Sequence, residues 1–311
     1  MGGLLHSVED GRVRPHIELV RKLVDNSVPN SLSRLELREV ASQGWDNTTF
    51  RLGDTYSVRL PTAQRYEAQL EREIPFLSEY SSAFALDVPT NVRAYTSTHD
   101  FPYRWSTRKW VPGKPLMHFD ESNVRRLAQF LHQLWDLPAP VHGTGRYLPS
   151  VENFWRGSGL DRIEPSFREA CRLLPDFVSR PAGNLWDLAK STQFDSEASF
   201  VHGDLSSYNL VASGRRLTGV IDWGLLAYGD PACDLAIAWR EFDADIREAF
   251  FDRLVPSADL RMRGKLWAVW KLSLLSVGLA KEAASDPTVA LERLAEILGV
   301  QSPLTPLPLT R

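Results

Sequence analysis

Three short apolar segments in the second half of the chain alternate with polar loops, and this pattern restricts the possible folds more than any other feature. They lie at 199–202, 210–212 and 218–221, and each has the length and apolar content of a short β-strand. Strands this short do not form a stable core by themselves. The pattern therefore predicts a small sheet inserted in a larger, mostly helical part of the chain.

The loops next to these segments carry three polar side chains suited to phosphoryl transfer. Asp204 and Asn209 are five residues apart, in the pattern His-Gly-Asp-x4-Asn, and Asp222 directly follows the third apolar segment. Phosphoryl transfer requires a carboxylate that orients the attacking hydroxyl and accepts its proton, together with oxygen ligands for Mg²⁺. The spacing is that of a kinase catalytic loop, so we interpret Asp204 as the catalytic carboxylate and Asn209 and Asp222 as metal ligands.

Each of these residues also has an ordinary structural interpretation. Asp204 alone would be a loop residue and Asn209 alone a turn former, and only their fixed spacing with Asp222 favours catalysis. The preceding His202 is predicted to support the loop by hydrogen bonding rather than to contact substrate. Its predicted partner is Asp234, which lies in a Gly-Asp-Pro-Ala-Cys-Asp sequence.

The rest of the chain predicts an α+β fold in which a small β-rich part precedes a larger helical part. The predicted elements of the first part are a helix at 17–24, a hairpin within 35–61, a helix at 65–80, and strands at 88–89 and 92–110. Pro75 should break or kink the second helix. A hinge at Val111-Pro112-Gly113 then divides the chain into predicted domains 1–110 and 111–311.

Beyond the hinge, helical patterns dominate. Apolar residues at helical spacing predict a helix that Asp120 or Ser122 caps and that Pro138 closes. A further helix is predicted at 240–254. Its acidic residues share one face, which is ordinarily a solvated face but would also suit a cationic substrate. These acidic residues are Glu241, Asp245, Glu248 and Asp252.

Composition argues against several classes of protein. A formal net charge of −3 over 311 residues lacks the basic excess of a nucleic-acid-binding protein. No apolar run approaches the roughly 20 residues that cross a bilayer. Cys171 and Cys233 lack metal-ligand spacing and are predicted to be buried small hydrophobes. We therefore expect a cytoplasmic protein without a nucleic-acid or membrane partner.

The chain resembles the aminoglycoside phosphotransferase-like family, the APH and choline kinase type of protein-kinase-like enzymes. The resemblance covers roughly 15–300 and is carried by HGDLSSYNL, VIDWG, GDPACDLA and QGWDNTTFRLGDTYSVRLP. It implies a two-lobed fold in which the amino-terminal lobe clamps ATP or GTP and the helical lobe holds a small-molecule hydroxyl acceptor. It also implies a loop over the phosphates, where a glycine lets backbone N–H groups approach the anion. That loop comprises Gly44, Trp45, Asp46 and Asn47.

Arg59 lies where the resemblance places the lysine that usually pairs with phosphate. Arginine grips phosphate through two parallel donors, although it is larger than lysine; a surface-facing strand arginine is the alternative. A glutamate on the following helix should pair with Arg59, and Glu73 is favoured over Glu71 and Glu67. The nucleotide contacts that the resemblance implies are completed at the hinge by Trp110 and Val111.

Several features favour a small acceptor over a protein substrate. Gly203 and Ser206 replace the arginine and lysine common in protein-kinase catalytic loops, and the interval from Gly224 to Gly229 is too short for a regulated activation segment. An aminoglycoside- or macrolide-like antibiotic is the favoured acceptor. A metabolite kinase acting on choline or a sugar remains an alternative. So does a nucleotide-binding pseudokinase.

Overall fold

The computed structural model describes residues 5–7, 12–40, 43–140, 144–190, 197–280 and 286–301. The chain divides into two compact units. The first comprises Met1–Pro115 with Asn209–Leu226, and the second comprises Leu116–Tyr208 with Ala227–Arg311.

The first unit is built on an antiparallel sheet of five strands. Before the sheet come the paired strands β1 (Leu5–Ser7) and β2 (Val13–Pro15) and the helices α1 (Ile17–Ser27) and α2 (Asn30–Ser33). The sheet strands are β3 (Leu37–Glu39), β4 (Asn47–Leu52), β5 (Tyr56–Pro61), β6 (Arg93–Tyr95) and β7 (Trp105–Lys109). They lie in the order β3-β4-β5-β7-β6. The predicted hairpin is thus β4 and β5, and Gly53 takes a φ of +60° at its turn.

The core of this unit follows from the alternation of β4 and β5. Phe50 pairs with Val58 across the hairpin, and both are buried. The apolar stripe of α1, which includes Leu19 and Leu23, packs on the same cluster. The helix predicted near 17–24 is therefore confirmed, and its apolar face covers the sheet.

The helix predicted at 65–80 is interrupted at a different place from the one expected. It forms α3 (Gln64–Glu67) and α4 (Gln69–Tyr80), so the interruption lies at Ala68 and α4 continues through Pro75. A proline inside a helix costs one backbone hydrogen bond, and burial of one face offsets this. The buried residues of that face are Gln69, Leu70, Arg72, Glu73, Phe76 and Leu77.

A second small sheet completes the first unit. It consists of β8 (Lys114–Pro115), β10 (Leu210–Ser213) and β11 (Arg216–Val220), which confirms two of the short strands predicted from the apolar segments. The strand predicted at 88–89 was wrong. The neighbouring Asp87 forms only an isolated bridge to Gly219 and exchanges backbone hydrogen bonds with Thr218 and Val220.

The second unit is mostly helical, as predicted. Asp120 caps α5 (Glu121–Trp135) by accepting from the Asn123 amide at 2.9 Å. The other elements are α6 (Glu164–Leu173), α7 (Asp176–Ala189), β9 (Ser199–Val201), β12 (Ala227–Gly229), α8 (Ala232–Arg240), α9 (Ala244–Leu254), α10 (Ala258–Ser276) and α11 (Pro287–Leu298). β9, the remaining short strand predicted, pairs antiparallel with β12.

Two predictions for this unit require correction. The helix expected at 240–254 starts later, at α9, because the Asp243 side chain caps the Ile246 amide. Glu241 therefore lies in the turn before α9 and not on its acidic face. Cys233 is buried as predicted, but Cys171 is only half-buried. No helix among the described residues is both long and apolar enough to cross a membrane.

Candidate active site

In the first unit, Arg59 on β5 lies among three acidic side chains. It forms an ion pair with Asp222, and its Nη1 lies 3.5 Å from Oε1 of Glu73. Burial alone would lower the pKa of Arg59, but the charges of Asp222, Glu73 and Asp46 outweigh burial and raise it. The side chain is 11% exposed, so Arg59 is not a surface-facing strand arginine.

Glu73 contacts a second arginine that the sequence analysis missed. Arg108 on β7 forms a closer ion pair with Glu73 than Arg59 does, and it donates to Ser106 Oγ at 2.8 Å. Burial lowers the pKa of Arg108, and the nearby charge of Arg59 lowers it further. A signal existed in the sequence, because Ser106 and Arg108 alternate along the predicted strand as Ser57 and Arg59 do along theirs.

The other candidate glutamates pair elsewhere. Glu67 and Glu71 contact Arg104 at 2.8 and 2.9 Å. Glu73 is buried because α4 turns that residue toward the sheet. Among the three glutamates considered, Glu73 is therefore the one that contacts Arg59 in this structure.

The Gly44–Asn47 segment is fixed by side chains around it. Arg12 stacks on the Trp45 ring at 3.5 Å and donates to its carbonyl at 3.1 Å. Thr62 donates to the Asp46 carbonyl at 3.0 Å, and Gln69 donates to the Asp46 carboxylate at 2.7 Å. With its carboxamide oxygen turned toward the guanidinium, Asn47 accepts from Arg59 Nη2 at 2.9 Å. The segment thus places a carboxylate and a carboxamide beside the Arg59 cluster.

Asn209 and Asp222 lie at adjoining ends of β10 and β11. The Ile221 amide donates to the Asn209 carbonyl at 2.9 Å. Asp222 adopts a left-handed conformation with φ at +67°, and its side chain is 38% exposed while Asn209 is 9% exposed. The two oxygen-bearing side chains that the sequence pairs as metal ligands therefore belong to one hairpin.

The residues after Asp222 anchor it to α4. Trp223 is buried, and its ring packs at a tilt against Phe76 and Phe84, with centroids 5.0 and 5.5 Å away. A Cβ on Gly224 would lie 2.6 Å from the Gln69 side chain. Only glycine therefore fits at this position without moving Gln69, which also holds Asp46.

The hinge candidates follow β7 in the first unit. The Trp110 amide donates to the Thr55 carbonyl at 2.8 Å, and Arg51 stacks over the Trp110 ring at 4.4 Å. Val111 is buried, and a Cβ on Gly219 would lie 2.5 Å from its side chain.

In the second unit, Asp234 on α8 fixes the backbone just before Asp204. Its carboxylate accepts from the His202 and Gly203 amides, both at 2.7 Å, and the Asp204 amide lies 3.3 Å from His202 Nδ1. Burial raises the pKa of Asp234, while His202, the two amides and Arg156 oppose that rise. The predicted link between His202 and Asp234 is therefore made at the backbone of His202, and His202 itself is fully buried.

Further along the same loop, Glu241 holds the Ser207 amide through its carboxylate at 2.7 Å. The sequence analysis missed this residue's role because it placed Glu241 on a helix. Asp204 is half-buried, whereas His202, Gly203 and Leu205 around it are buried. The loop thus presents one carboxylate on a backbone fixed from both sides. Among the described residues, no cluster of three or more His, Cys, Asp or Glu side chains is arranged to hold a metal.

A family model described as Phosphotransferase enzyme family matches residues 37–267. No curated protein matches the chain.

Solved structures resemble the chain over most of its length. The GDP and kanamycin complex of APH(2")-IIia is 18% identical, with a TM-score of 0.71 over 90% of this chain and 98% of that one. The streptomycin-ATP-APH(2")-IIa ternary complex is 18% identical, with a TM-score of 0.59 over 91% and 96%. Macrolide 2'-phosphotransferase MphH from Brachybacterium faecium is 17% identical, with a TM-score of 0.60 over 89% and 97%. These similarities confirm the α+β, protein-kinase-like fold expected from the sequence.

Proposed function

The chain belongs to the phosphotransferase enzyme family, and from this membership we propose that it transfers the γ-phosphate of ATP or GTP to a hydroxyl of a small molecule. The observation that carries the proposal is the loop at Asp204. Asp234 and Glu241 hold its backbone amides on either side, which leaves the Asp204 carboxylate as the half-buried acidic group of the loop. A preorganised carboxylate is what phosphoryl transfer asks of the protein.

Asp204 would act on the acceptor. Its carboxylate would accept a hydrogen bond from the attacking hydroxyl and take that proton as the oxygen bonds to the γ-phosphorus. The bond from phosphorus to the β–γ bridging oxygen breaks at the same time, and the nucleoside diphosphate leaves. Because His202 and Asp234 are buried and occupied with the loop backbone, they would support Asp204 without touching substrate.

Mg²⁺ is the metal that the residues fit best. A carboxylate on Asp222 and a carboxamide on Asn209 are oxygen donors, and the Ile221 amide ties their hairpin together. When bound, Mg²⁺ would neutralise charge on the nucleotide phosphates. The half-exposed Asp222 side chain is accessible to such an ion, while Asn209 is held by its backbone carbonyl.

The nucleotide is assigned to the amino-terminal part of the chain, within 1–110 and the hinge that follows. Arg59 would bind phosphate while Glu73 contacts Nη1 of its guanidinium. The segment formed by Gly44, Trp45, Asp46 and Asn47 would cover the phosphates, since Arg12, Thr62 and Gln69 already fix its backbone and side chains. The base end would be contacted by Trp110 and Val111.

We further propose an antibiotic-like acceptor, of the aminoglycoside or macrolide type. The similar structures support this class, since one is a kanamycin complex and another is a macrolide phosphotransferase. A metabolite alcohol such as choline or a sugar is the second candidate, because the loop at Asp204 serves any hydroxyl. Dependence on a nucleoside triphosphate supports a cytoplasmic location.

Turnover with a panel of acceptors tests the proposal. Release of nucleoside diphosphate would be measured with Mg²⁺ and ATP or GTP, in the presence of kanamycin, streptomycin, erythromycin, choline or a hexose. The proposal predicts that at least one nucleotide and acceptor pair accelerates release. If Mg²⁺-nucleotide raises the melting temperature but no acceptor is phosphorylated, the proposed antibiotic-like acceptor is wrong, and either the acceptor lies outside this panel or the chain is a nucleotide-binding pseudokinase.

A further inference from the structure

A bend at residues 153–158 of the second unit has an unusual backbone. Phe154 and Trp155 take φ values of 52° and 59° in succession, and Gly157 takes 78°. Left-handed conformations of bulky residues cost free energy and persist only where surrounding structure enforces them. Here the Ser150 amide donates to the buried Asn153 side chain at 2.8 Å, and the Trp155 amide donates to the Ser150 carbonyl at 2.8 Å.

The bend docks on the start of the segment that leads into α8. The Asp230 amide donates to the Gly157 carbonyl at 2.7 Å, and a Cβ on Gly229 would lie 2.1 Å from that carbonyl oxygen. Asp230 is itself held by the buried Arg263, with Nε 2.7 Å from Oδ2 and Nη2 3.3 Å from Oδ1. The bend therefore packs against a segment that Arg263 holds in place. The backbones of Gly157 and Gly229 approach so closely that a side chain on Gly229 would collide with Gly157.

The bend places the Arg156 side chain in contact with the catalytic loop. Its Nε donates to the Gly203 carbonyl at 2.6 Å, and its guanidinium lies 5.3 and 5.0 Å from the ring centroids of Trp267 and Trp270. Gly203 has a φ of +83° and directly precedes Asp204. Since Asp234 already binds the Gly203 amide, charged side chains hold both backbone polar groups of this glycine.

We propose that Arg156 is a positioning residue for Asp204. Its bond to the Gly203 carbonyl fixes the peptide that leads into Asp204, and this inference rests on the proposed function. Lysine is a poor substitute, because a planar guanidinium can donate in plane from Nε while its faces lie against aromatic rings. The residue is 6% exposed, so Arg156 acts through the loop and not on the substrate.

The test compares Arg156→Lys and Arg156→Met with Arg162→Met as a matched control. Arg162 also stacks on a tryptophan, Trp155 at 5.1 Å, but its side chain is 60% exposed. With kanamycin or erythromycin as acceptor, we expect both Arg156 variants to lower kcat about 100-fold, since small misplacements of reacting groups cost this much. KM for Mg²⁺-nucleotide should stay within about threefold of wild type. The control should keep wild-type kcat.

Amide hydrogen exchange provides a readout that does not need turnover. Peptides covering 202–205 should exchange faster in the folded Arg156→Lys variant than in wild type or Arg162→Met. Folded Arg156→Lys protein with unchanged exchange and unchanged kcat overturns the inference, as does a change confined to KM. If wild type lacks turnover with every acceptor while exchange still accelerates in Arg156→Lys, the proposed function fails and the contact of Arg156 with the loop stands.

Discussion

Arg59 Nη1 lies 3.5 Å from Glu73 Oε1, yet the closer contact of Glu73 is to Arg108. Two arginines thus share one buried carboxylate, and Arg59 also forms an ion pair with the half-exposed Asp222. Because Arg108 already neutralises much of the Glu73 charge, Arg59 is not wholly committed to Glu73. The contact of Arg59 with Glu73 is the longer of the two, which is consistent with the proposed role of Arg59 in binding a nucleotide phosphate.

The shared glutamate gives the first prediction. Glu73→Gln leaves two buried guanidinium groups with one carboxylate fewer and should lower the free energy of unfolding by about 3–5 kcal/mol. Glu71→Gln, which removes an exposed partner of Arg104, should cost less than about 1 kcal/mol. Urea unfolding followed by tryptophan fluorescence measures both. Equal costs for the two variants would mean that the buried cluster contributes no more than a surface pair.

Arg59 itself is predicted to act on nucleotide affinity. A charge-assisted hydrogen bond contributes about 1.5–3 kcal/mol, so Arg59→Met should reduce kcat/KM for the nucleotide roughly 10- to 100-fold. Arg59→Lys keeps the positive charge and should reduce kcat/KM for the nucleotide by a smaller factor. Arg38→Met is the control, because Arg38 lies on the same sheet in an exposed pair with Asp54. Steady-state kinetics with varied nucleotide decides the outcome, and a wild-type kcat/KM for Arg59→Met contradicts it.

Much of this arrangement was predictable from sequence, and particular residues show why the rest was not. The loop at Asp204 and the hairpin of Asn209 and Asp222 are local, so fixed spacing reveals them. The contact of Arg108 with Glu73 depends on the register of strands and a helix far apart in sequence. The sequence favours the pairing of Arg59 with Glu73 only because Glu73 lies on the helix that follows the hairpin.

Backbone conformation explains the other omissions. Arg156 lies in a bend where Phe154 and Trp155 take left-handed conformations. Bulky residues rarely adopt such conformations, so the sequence gives no sign of this bend. The recurrence of acidic residues at helical spacing through 241–252 predicts a helix that includes Glu241. The N-cap at Asp243 starts α9 only after Glu241, and the turn before the helix brings Glu241 to the Ser207 amide.

A pH-dependent stability is predicted at Asp234. Burial raises its pKa against the opposing effects of His202, Arg156 and the two loop amides, and the buried Cys233 thiol is adjacent in the chain. A carboxyl whose pKa is higher in the folded state binds protons more tightly there. The contribution of Asp234 to the free energy of unfolding is therefore largest below the ordinary aspartate pKa of about 4. It is lost as pH rises through the pKa that Asp234 has in the folded protein.

Comparison with Asp234→Asn isolates that contribution. The free energy of unfolding of wild type minus that of Asp234→Asn should fall as pH rises from about 4. Urea denaturation of both proteins across a pH series measures the difference. A difference that grows with pH would show that the amides, His202 and Arg156 outweigh burial.

The proposed metal ligand Asp222 gives a separate prediction. Asp222→Ala should raise the Mg²⁺ concentration needed for half-maximal turnover by roughly tenfold or more, since a divalent ion loses its carboxylate ligand. Addition of EDTA to wild type should abolish turnover, and excess Mg²⁺ should restore it. Calorimetric titration with Mg²⁺-nucleotide checks the binding step. Unchanged Mg²⁺ dependence in Asp222→Ala would remove this residue from the metal site.

Asp204 is proposed to be the catalytic carboxylate of a small-molecule phosphotransferase, and phosphate transfer by an Asp204 variant tests this role. Transfer of radiolabelled γ-phosphate from ATP or GTP to kanamycin or erythromycin would be followed for wild type and Asp204→Ala, with Mg²⁺-nucleotide binding measured in parallel. We predict labelled product with wild type, and a loss of about 100-fold or more in Asp204→Ala with folding and nucleotide binding preserved. Equal transfer by the two proteins would contradict the assignment.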